Sequence, residues 1–287
     1  MKSVAPILTV LAAIVVLWYG AAVWLNSQWI YDQAARAGTE VTATQVLTET
    51  MVQDRPVLPA PHQVAQGLWQ GLTGQAITSK RSLVYHGWIT LSATLAGFVL
   101  GTVAGILLSV GIVHSRAMDM SVMPWAIASQ TIPIQAIAPM VIVVLASLGI
   151  KGLLPKAIIA AYLSFFPVLV GMVKGLRAPE GQQLDLLSTY NASRAATFWK
   201  LRLPSSMPYL FASLKVGIAA ALVGAIVAEL PAGASSGLGA RLLSGSYYGQ
   251  TIQIWSALLT AAALAASLVM VVGLIERATL KRMGMAR

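Results

Sequence analysis

Cysteine is absent from all 287 residues, and charge is scarce. Without a thiol there is no disulfide, no thiolate metal site and no cysteine nucleophile. Only 10% of residues are charged, against about 25% in an ordinary soluble domain. So few charges cannot cover a water-facing surface, so lipid must cover much of this one. The chain also lacks a phosphate-binding loop. Residues 74–80 imitate its spacing, but Ser79 stands where a glycine must precede the lysine. Any ATP chemistry must therefore come from another subunit. The histidines, His62, His86 and His114, are scattered through or beside loops, which argues against a metal centre. No serine has a recognisable histidine and aspartate around it, and no catalytic residue is expected.

What is present is apolar. Hydrophobic residues make up 57% of the chain and the mean hydropathy is +0.75. At roughly 20 apolar residues per span, the pattern predicts an all-α, polytopic membrane helix bundle of about six transmembrane helices. The runs lie at 4–25, 86–113, 122–148, 153–173, 209–230 and 254–275. The first run follows Lys2 and is longer than the core of a typical signal peptide, which favours an uncleaved helix. The expected division is an N-terminal transmembrane helix over 1–25, a periplasmic segment over 26–85, a five-helix transmembrane domain over 86–275 and a cytoplasmic tail over 276–287. Pro56, Pro59 and Pro61 should break any helix in the 26–85 segment, whose charges cancel. The third span carries Pro124, Pro133 and Pro139 and is expected to be kinked and buried in the bundle.

The net charge of +10 resolves by position. Nucleic-acid binding is disfavoured, because no basic run or aromatic-interleaved patch occurs. Lysine and arginine instead collect between the fourth and fifth spans and in the tail, at Arg277, Lys281, Arg282 and Arg287. The positive-inside tendency then places both termini in the cytoplasm, with Lys151 and Lys156 as exceptions on the outer side. Small residues recur every four positions at Ala93, Gly97, Gly101, Gly105 and Ser109, and again at Gly217, Ala221 and Ala225. Such rows let helices approach closely.

The interior loop over 177–204 is the most informative segment. Pro179 and Glu180 suit the first turn of a helix. Asn191 can adopt the left-handed conformation that ends it. Ser193 can cap a second short helix, which Pro204 would stop. Leu186, Leu187, Phe198 and Trp199 are bulky apolar side chains that a solvated linker would not need.

This loop resembles the cytoplasmic coupling loop of binding-protein-dependent ABC permeases. That family has Glu-Ala-Ala, a short spacer, Gly, and later Ile-x-Leu-Pro. Here Asp185, Leu186 and Leu187 hold the first positions, Asn191 the glycine position, and Leu201-Arg202-Leu203-Pro204 the end. The resemblance extends over 87–275, through Ala138-Pro139, Phe165-Phe166-Pro167, and Ala228-Glu229 followed by Gly237-Leu238-Gly239. It is greatest to the taurine, sulfonate, nitrate and pyrimidine-precursor branch. The resemblance implies an inner-membrane permease working as a homodimer, or beside a related permease, with two ABC ATPase subunits, which bind ATP and magnesium, and with a periplasmic solute-binding protein. Asp185, Leu186, Leu187, Asn191, Ala192, Ser193 and Arg194 would meet the ATPase, with Pro204 closing the motif. The implied solute is small and polar or anionic: a sulfonate, nitrate, bicarbonate or pyrimidine-like compound.

Polar residues in or beside spans are candidates for a translocation path or gate: Gln130, Thr131 and Gln135 near Pro133, Ser164, and Glu229. The first four could equally satisfy backbone groups freed by prolines. Glu229 could equally be a helix-end carboxylate bonded to loop amides or to Arg241. An ion-coupled secondary transporter is the rival reading, but it calls for deep carboxylates or an internal repeat.

Overall fold

A computed structural model describes residues 4–231 and 236–285. Lys2, Arg287 and part of the glycine-rich stretch before Gly239 lie outside the described residues. All regular structure among the described residues is helical. The elements are α1 (Val4–Ala37), α2 (Ala43–Val52), α3 (Pro61–Thr73), α4 (Leu83–His114), α5 (Arg116–Ser129), α6 (Ile134–Ser147), α7 (Leu153–Leu176), α8 (Gly181–Thr189), α9 (Arg194–Thr197), α10 (Leu203–Ala228), α11 (Leu238–Tyr247) and α12 (Thr251–Arg282). Among them, 5 helices are long and apolar enough to cross a membrane, or up to 6 if α5 and α6 count as one broken span.

The chain divides into two compact units: residues 1–87 with 240–261, and residues 88–239 with 262–287. The second unit is built on α4, α7 and α10. The small-residue row of α4 lies directly against the α7 backbone. A Cβ on Gly97 would come 2.6 Å from the Ala157 carbonyl oxygen, and one on Gly101 would come 2.1 Å from Ser164 Oγ. At Gly105 it would sit 2.8 Å from the Phe165 carbonyl oxygen. The same α7 residues also meet α10, where a Cβ on Gly224 would lie 2.7 Å from Ala160 Cα, and Ala93, Ala160, Ala221 and Ala225 form a buried cluster. Lipid offers no hydrophobic drive for this association, so close van der Waals contact must supply it. Larger side chains fill the lower part of the seam, where Val168, Met172 and Leu176 pack with Leu210, Leu214 and Phe198.

The third span is broken rather than kinked. The axes of α5 and α6 differ by 98° across residues 130–133. Pro133 begins α6 at its N-cap, and the residue before a proline is driven out of the helical region. Nor is it buried throughout, since Trp125, Met140 and Val143 are exposed. One side does pack: Ile134 and Ala138 join Ile159 and Ala228 in a buried cluster.

In the first unit, α1 continues to Ala37, past the expected end at residue 25. The 26–85 segment contains two complete helices, α2 and α3, interrupted at the prolines as expected. The prolines lie between them, and Pro61 opens α3, where its missing N–H costs nothing. Asn26, fully buried on α1, organises this unit. Its Nδ2 donates to the Leu58 carbonyl at 2.8 Å, and its Oδ1 accepts from the Val57 amide at 2.7 Å. Trp18 Nε1 donates to the Pro59 carbonyl at 3.0 Å, and the Trp18 ring lies 4.9 Å from that of Trp255.

Candidate functional site

The 177–204 loop forms two helices joined by a defined turn. Glu180 is the N-cap of α8, one position before the first turn, and its amide donates to Gln183 Oε1 at 3.2 Å. Asn191 has φ 51 and is the one non-glycine among the described residues with positive φ. The Ala192 amide reaches back to the Leu187 carbonyl at 2.9 Å, and the Asn191 amide to the Ser188 carbonyl at 2.9 Å. This pair of bonds is a Schellman ending, which satisfies carbonyls that the helix leaves free. Asparagine tolerates the left-handed region better than other side-chain-bearing residues. Ser193 then caps α9, accepting from the Ala196 amide at 3.2 Å.

Pro204 does not stop this helix. Residues 194–228 form one continuous helical run, and Pro204 lies in the first turn of α10. Residues Phe198–Arg202 are wound as a π-helix, with the Leu203 amide bonded to the Phe198 carbonyl. The wider turn delivers the chain to a proline at a position where proline is tolerated. Arg202 fastens the junction by donating to the Leu176 carbonyl at 3.0 Å, and Phe198 packs into the α7–α10 seam. His114 stacks edge-on against Phe198, with ring centroids 5.3 Å apart.

The hairpin so anchored presents apolar side chains outward. Leu186 is 57% exposed, Tyr190 76% and Trp199 65%. Asp185, Asn191, Ser193 and Arg194 are exposed beside them, while Leu187 and Ala192 are half-buried. A cavity of about 290 Å³ lies between this hairpin and the end of α4, lined by Val113, His114, Ala192, Arg194, Thr197 and Arg202.

The other end of the same helical run is its opposite. Glu229, the C-cap of α10, is 0% exposed and fully bonded. Its Oε2 accepts from Thr90 Oγ1 at 2.8 Å and from the Gly239 amide at 3.0 Å. Its Oε1 pairs with Lys156 Nζ at 3.2 Å. Lys156 also donates to the Ser236 carbonyl at 2.9 Å, and Thr90 Oγ1 accepts from the Leu238 amide at 2.9 Å. One carboxylate thus ties α4, α7, α10 and the 236–239 segment together. Gly237 has φ +119, and a Cβ there would lie 2.0 Å from the Glu229 carboxyl carbon. On Gly239 a Cβ would lie 2.3 Å from the Ile226 carbonyl oxygen. The Gly-Leu-Gly motif therefore exists so that backbone can reach a buried carboxylate.

Lys156 was missed by the sequence reading, which took it only as an exception to the charge rule. A signal was available: an acid at the end of one span and a base in the first turn of another lie at the same level when the helices run antiparallel. The remaining candidates do not converge on one site. Ser164 is buried between α4 and α7, where Oγ donates to the Ala161 carbonyl at 3.3 Å. Gln130 is half-buried and donates to Ser129 Oγ at 3.2 Å, while Thr131 donates to the Ala128 carbonyl at 2.8 Å. Gln135 is exposed. The Ser129 carbonyl accepts from the Tyr162 hydroxyl, which fixes the break between α5 and α6 to α7.

Residues 68–284 match the family described as the binding-protein-dependent transport system inner membrane component. This chain belongs to that family. It is 32% identical to the riboflavin transport system permease protein of Chloroflexus aurantiacus over 77% of this chain and 78% of that protein. It is 30% identical to the formylaminopyrimidine transport permease protein of Halalkalibacterium halodurans, over 67% of this chain and 72% of that protein. A putative aliphatic sulfonates transport permease protein of Bacillus subtilis is 24% identical over 83% of this chain and 82% of its own length. The permease is a multi-pass inner-membrane transport subunit and not an enzyme. Its family membership implies an ABC ATPase and a periplasmic binding protein as partners.

Proposed function

We propose that this permease carries a small polar or anionic solute inward as a homodimer, with each copy docking its 177–204 loop into a cleft on one of two ATPase subunits. Both chain termini lie in the cytoplasm, on the side of the ATPases, which bind the ATP and magnesium. The solute belongs to the chemical range named for the relatives, which includes riboflavin, a formylaminopyrimidine and aliphatic sulfonates. A periplasmic binding protein delivers it.

The observation that carries this reading is the α8–α9 hairpin. Its shape is fixed by the Asn191 turn and the Ser193 cap, yet Leu186, Tyr190 and Trp199 point away from the chain's own core. A rigid, solvent-facing apolar knob is the form expected of an element that inserts into a partner. The root of the knob, through Phe198 and Arg202, joins directly to the α7–α10 seam. Closure of the ATPases would therefore move α10 as a lever rather than bend a flexible loop.

The test is uptake into proteoliposomes holding permease and ATPase, supplied with the binding protein. Asn191→Pro removes the left-handed turn, since proline is fixed near φ −65°. Arg194→Glu reverses a charge on the docking face. Both variants should insert in the membrane normally, yet lose ATP-driven uptake. Wild-type uptake rates in both would sink the assignment, as would uptake driven by an ion gradient without ATP.

A further inference from the structure

A second pocket lies in the unit formed by residues 1–87 and 240–261. It has a volume of about 500 Å³ and is lined from α3, α11 and the starts of α4 and α12. Its charged lining is Arg81 and Arg241, and no aspartate or glutamate joins them. Gln70, Gln75 and Gln250 add amide donors.

Arg241 is the unusual member. Its Nε is buried and has no hydrogen-bond partner among the described residues. Burial alone holds this guanidinium below the ordinary arginine range, with no acid beside it to compensate. Removing a guanidinium from water without a partner is costly, and such groups are ordinarily paired. The protein nevertheless positions it deliberately. Gln253 Nε2 donates to the Arg241 carbonyl at 3.0 Å and to Ser244 Oγ at 3.0 Å, which pins the α11 backbone to α12. The opposite wall is equally fixed. A Cβ on Gly67 would fall 2.7 Å from Ile252 Cγ2, and one on Gly71 would fall 2.5 Å from Leu83 Cδ1. The pocket is thus a cationic cup with one unsatisfied guanidinium N–H, that of Arg241 Nε, buried in its wall.

We infer that this pocket binds a small oxyanion, with Arg241 as the principal ligand and Arg81 at the rim as a second charge. The recognised chemistry is a tetrahedral or planar group of acceptor oxygens, as in sulfate, phosphate, a sulfonate or a carboxylate. Guanidinium matches these groups bidentately. The oxygens come either from a free solute or from an anionic lipid headgroup. The inference does not depend on which solute is transported or on how the ATPase docks.

The full chain in nanodiscs of phosphatidylcholine should bind radiolabelled sulfate saturably, with competition by phosphate and none by an uncharged sugar. Arg241→Gln should weaken binding by about tenfold or more, as loss of a charge-assisted hydrogen bond requires. Arg81→Gln, at an exposed position that folding does not need, should weaken it by roughly threefold. If zwitterionic discs show no sulfate binding but phosphatidylglycerol is retained selectively by the wild type and lost from Arg241→Gln, the oxyanion is the lipid's. The inference fails if neither sulfate binding nor lipid retention responds to the two arginine substitutions. Should Arg241→Gln fail to fold, Arg81→Gln and Arg241→Lys decide: wild-type sulfate binding and lipid retention in both would overturn it.

Discussion

The helical run from Arg194 to Ala228 ends in opposite ways. Its first turns leave apolar side chains in solvent and satisfy the backbone locally, through the Asn191 turn and the Ser193 cap. Its last turn buries a carboxylate and satisfies it with groups from three other segments. The contrast separates two jobs. A buried, fully bonded charge contributes to holding one arrangement of helices, since any loosening exposes an unpaired ion. An exposed apolar knob contributes little to the fold of its own chain, and the proposed function gives it to a partner. The same helix is held by a buried charge at one end and carries exposed apolar side chains at the other.

Breaking the pairing at the buried end should have the largest effect. Lys156→Met leaves Glu229 without its cation in a dry site and should cost about 3–5 kcal/mol of stability. Thermal unfolding of the purified permease would measure it. Adding Glu229→Gln should restore most of that loss, because the unpaired charge is then removed as well. An unchanged midpoint in the single variant would show that the ion pair does not hold this end.

Gly237→Ala comes next. The residue combines φ +119 with a Cβ position inside the Glu229 carboxyl group. A loss of about 2 kcal/mol is expected from backbone strain alone. Full stability would mean that the 236–239 segment can move away from Glu229 without cost.

At the exposed end the effects on stability shrink while the effects on function grow. Asn191→Ala should cost about 1 kcal/mol, because alanine lacks asparagine's tolerance of the left-handed region. Asn191→Gly should be neutral or slightly stabilising and should retain uptake, since glycine takes this conformation freely. Loss of uptake in the glycine variant would show that uptake depends on the side chain and not only on the turn.

The smallest change in stability is expected for Leu186→Ser and Trp199→Ser, within about 0.5 kcal/mol of wild type. Both should nevertheless reduce the amount of ATPase that co-purifies with the permease. If stability falls while association is unchanged, the knob belongs to the fold and the contrast between the two ends collapses.

Much of the hairpin could be read from sequence because its determinants are local. Asn191 and Ser193 act on backbone groups within a few residues, so spacing alone is enough. Pro204 misled for a related reason. Proline ends a helix from its interior but opens one from its first turn, and only the π-turn at Phe198–Arg202 decides which applies. The break at Pro133 was legible as a disturbance, but its angle depends on how Tyr162 and the α7 surface receive it. The Glu229 network was the least legible part, since its members, Thr90, Lys156, Glu229 and Gly239, are far apart in the chain.

By itself, then, the sequence determined that this chain is a helical membrane protein, where its apolar runs fall, and how its 177–204 hairpin turns. Those features depend on composition, periodicity and short-range hydrogen bonding. Tertiary structure decided which charges are paired, which small residues are contact points and which proline breaks a span. Each of these depends on what lies across a helix interface, and a buried ion or a missing Cβ has meaning only beside the atom it meets.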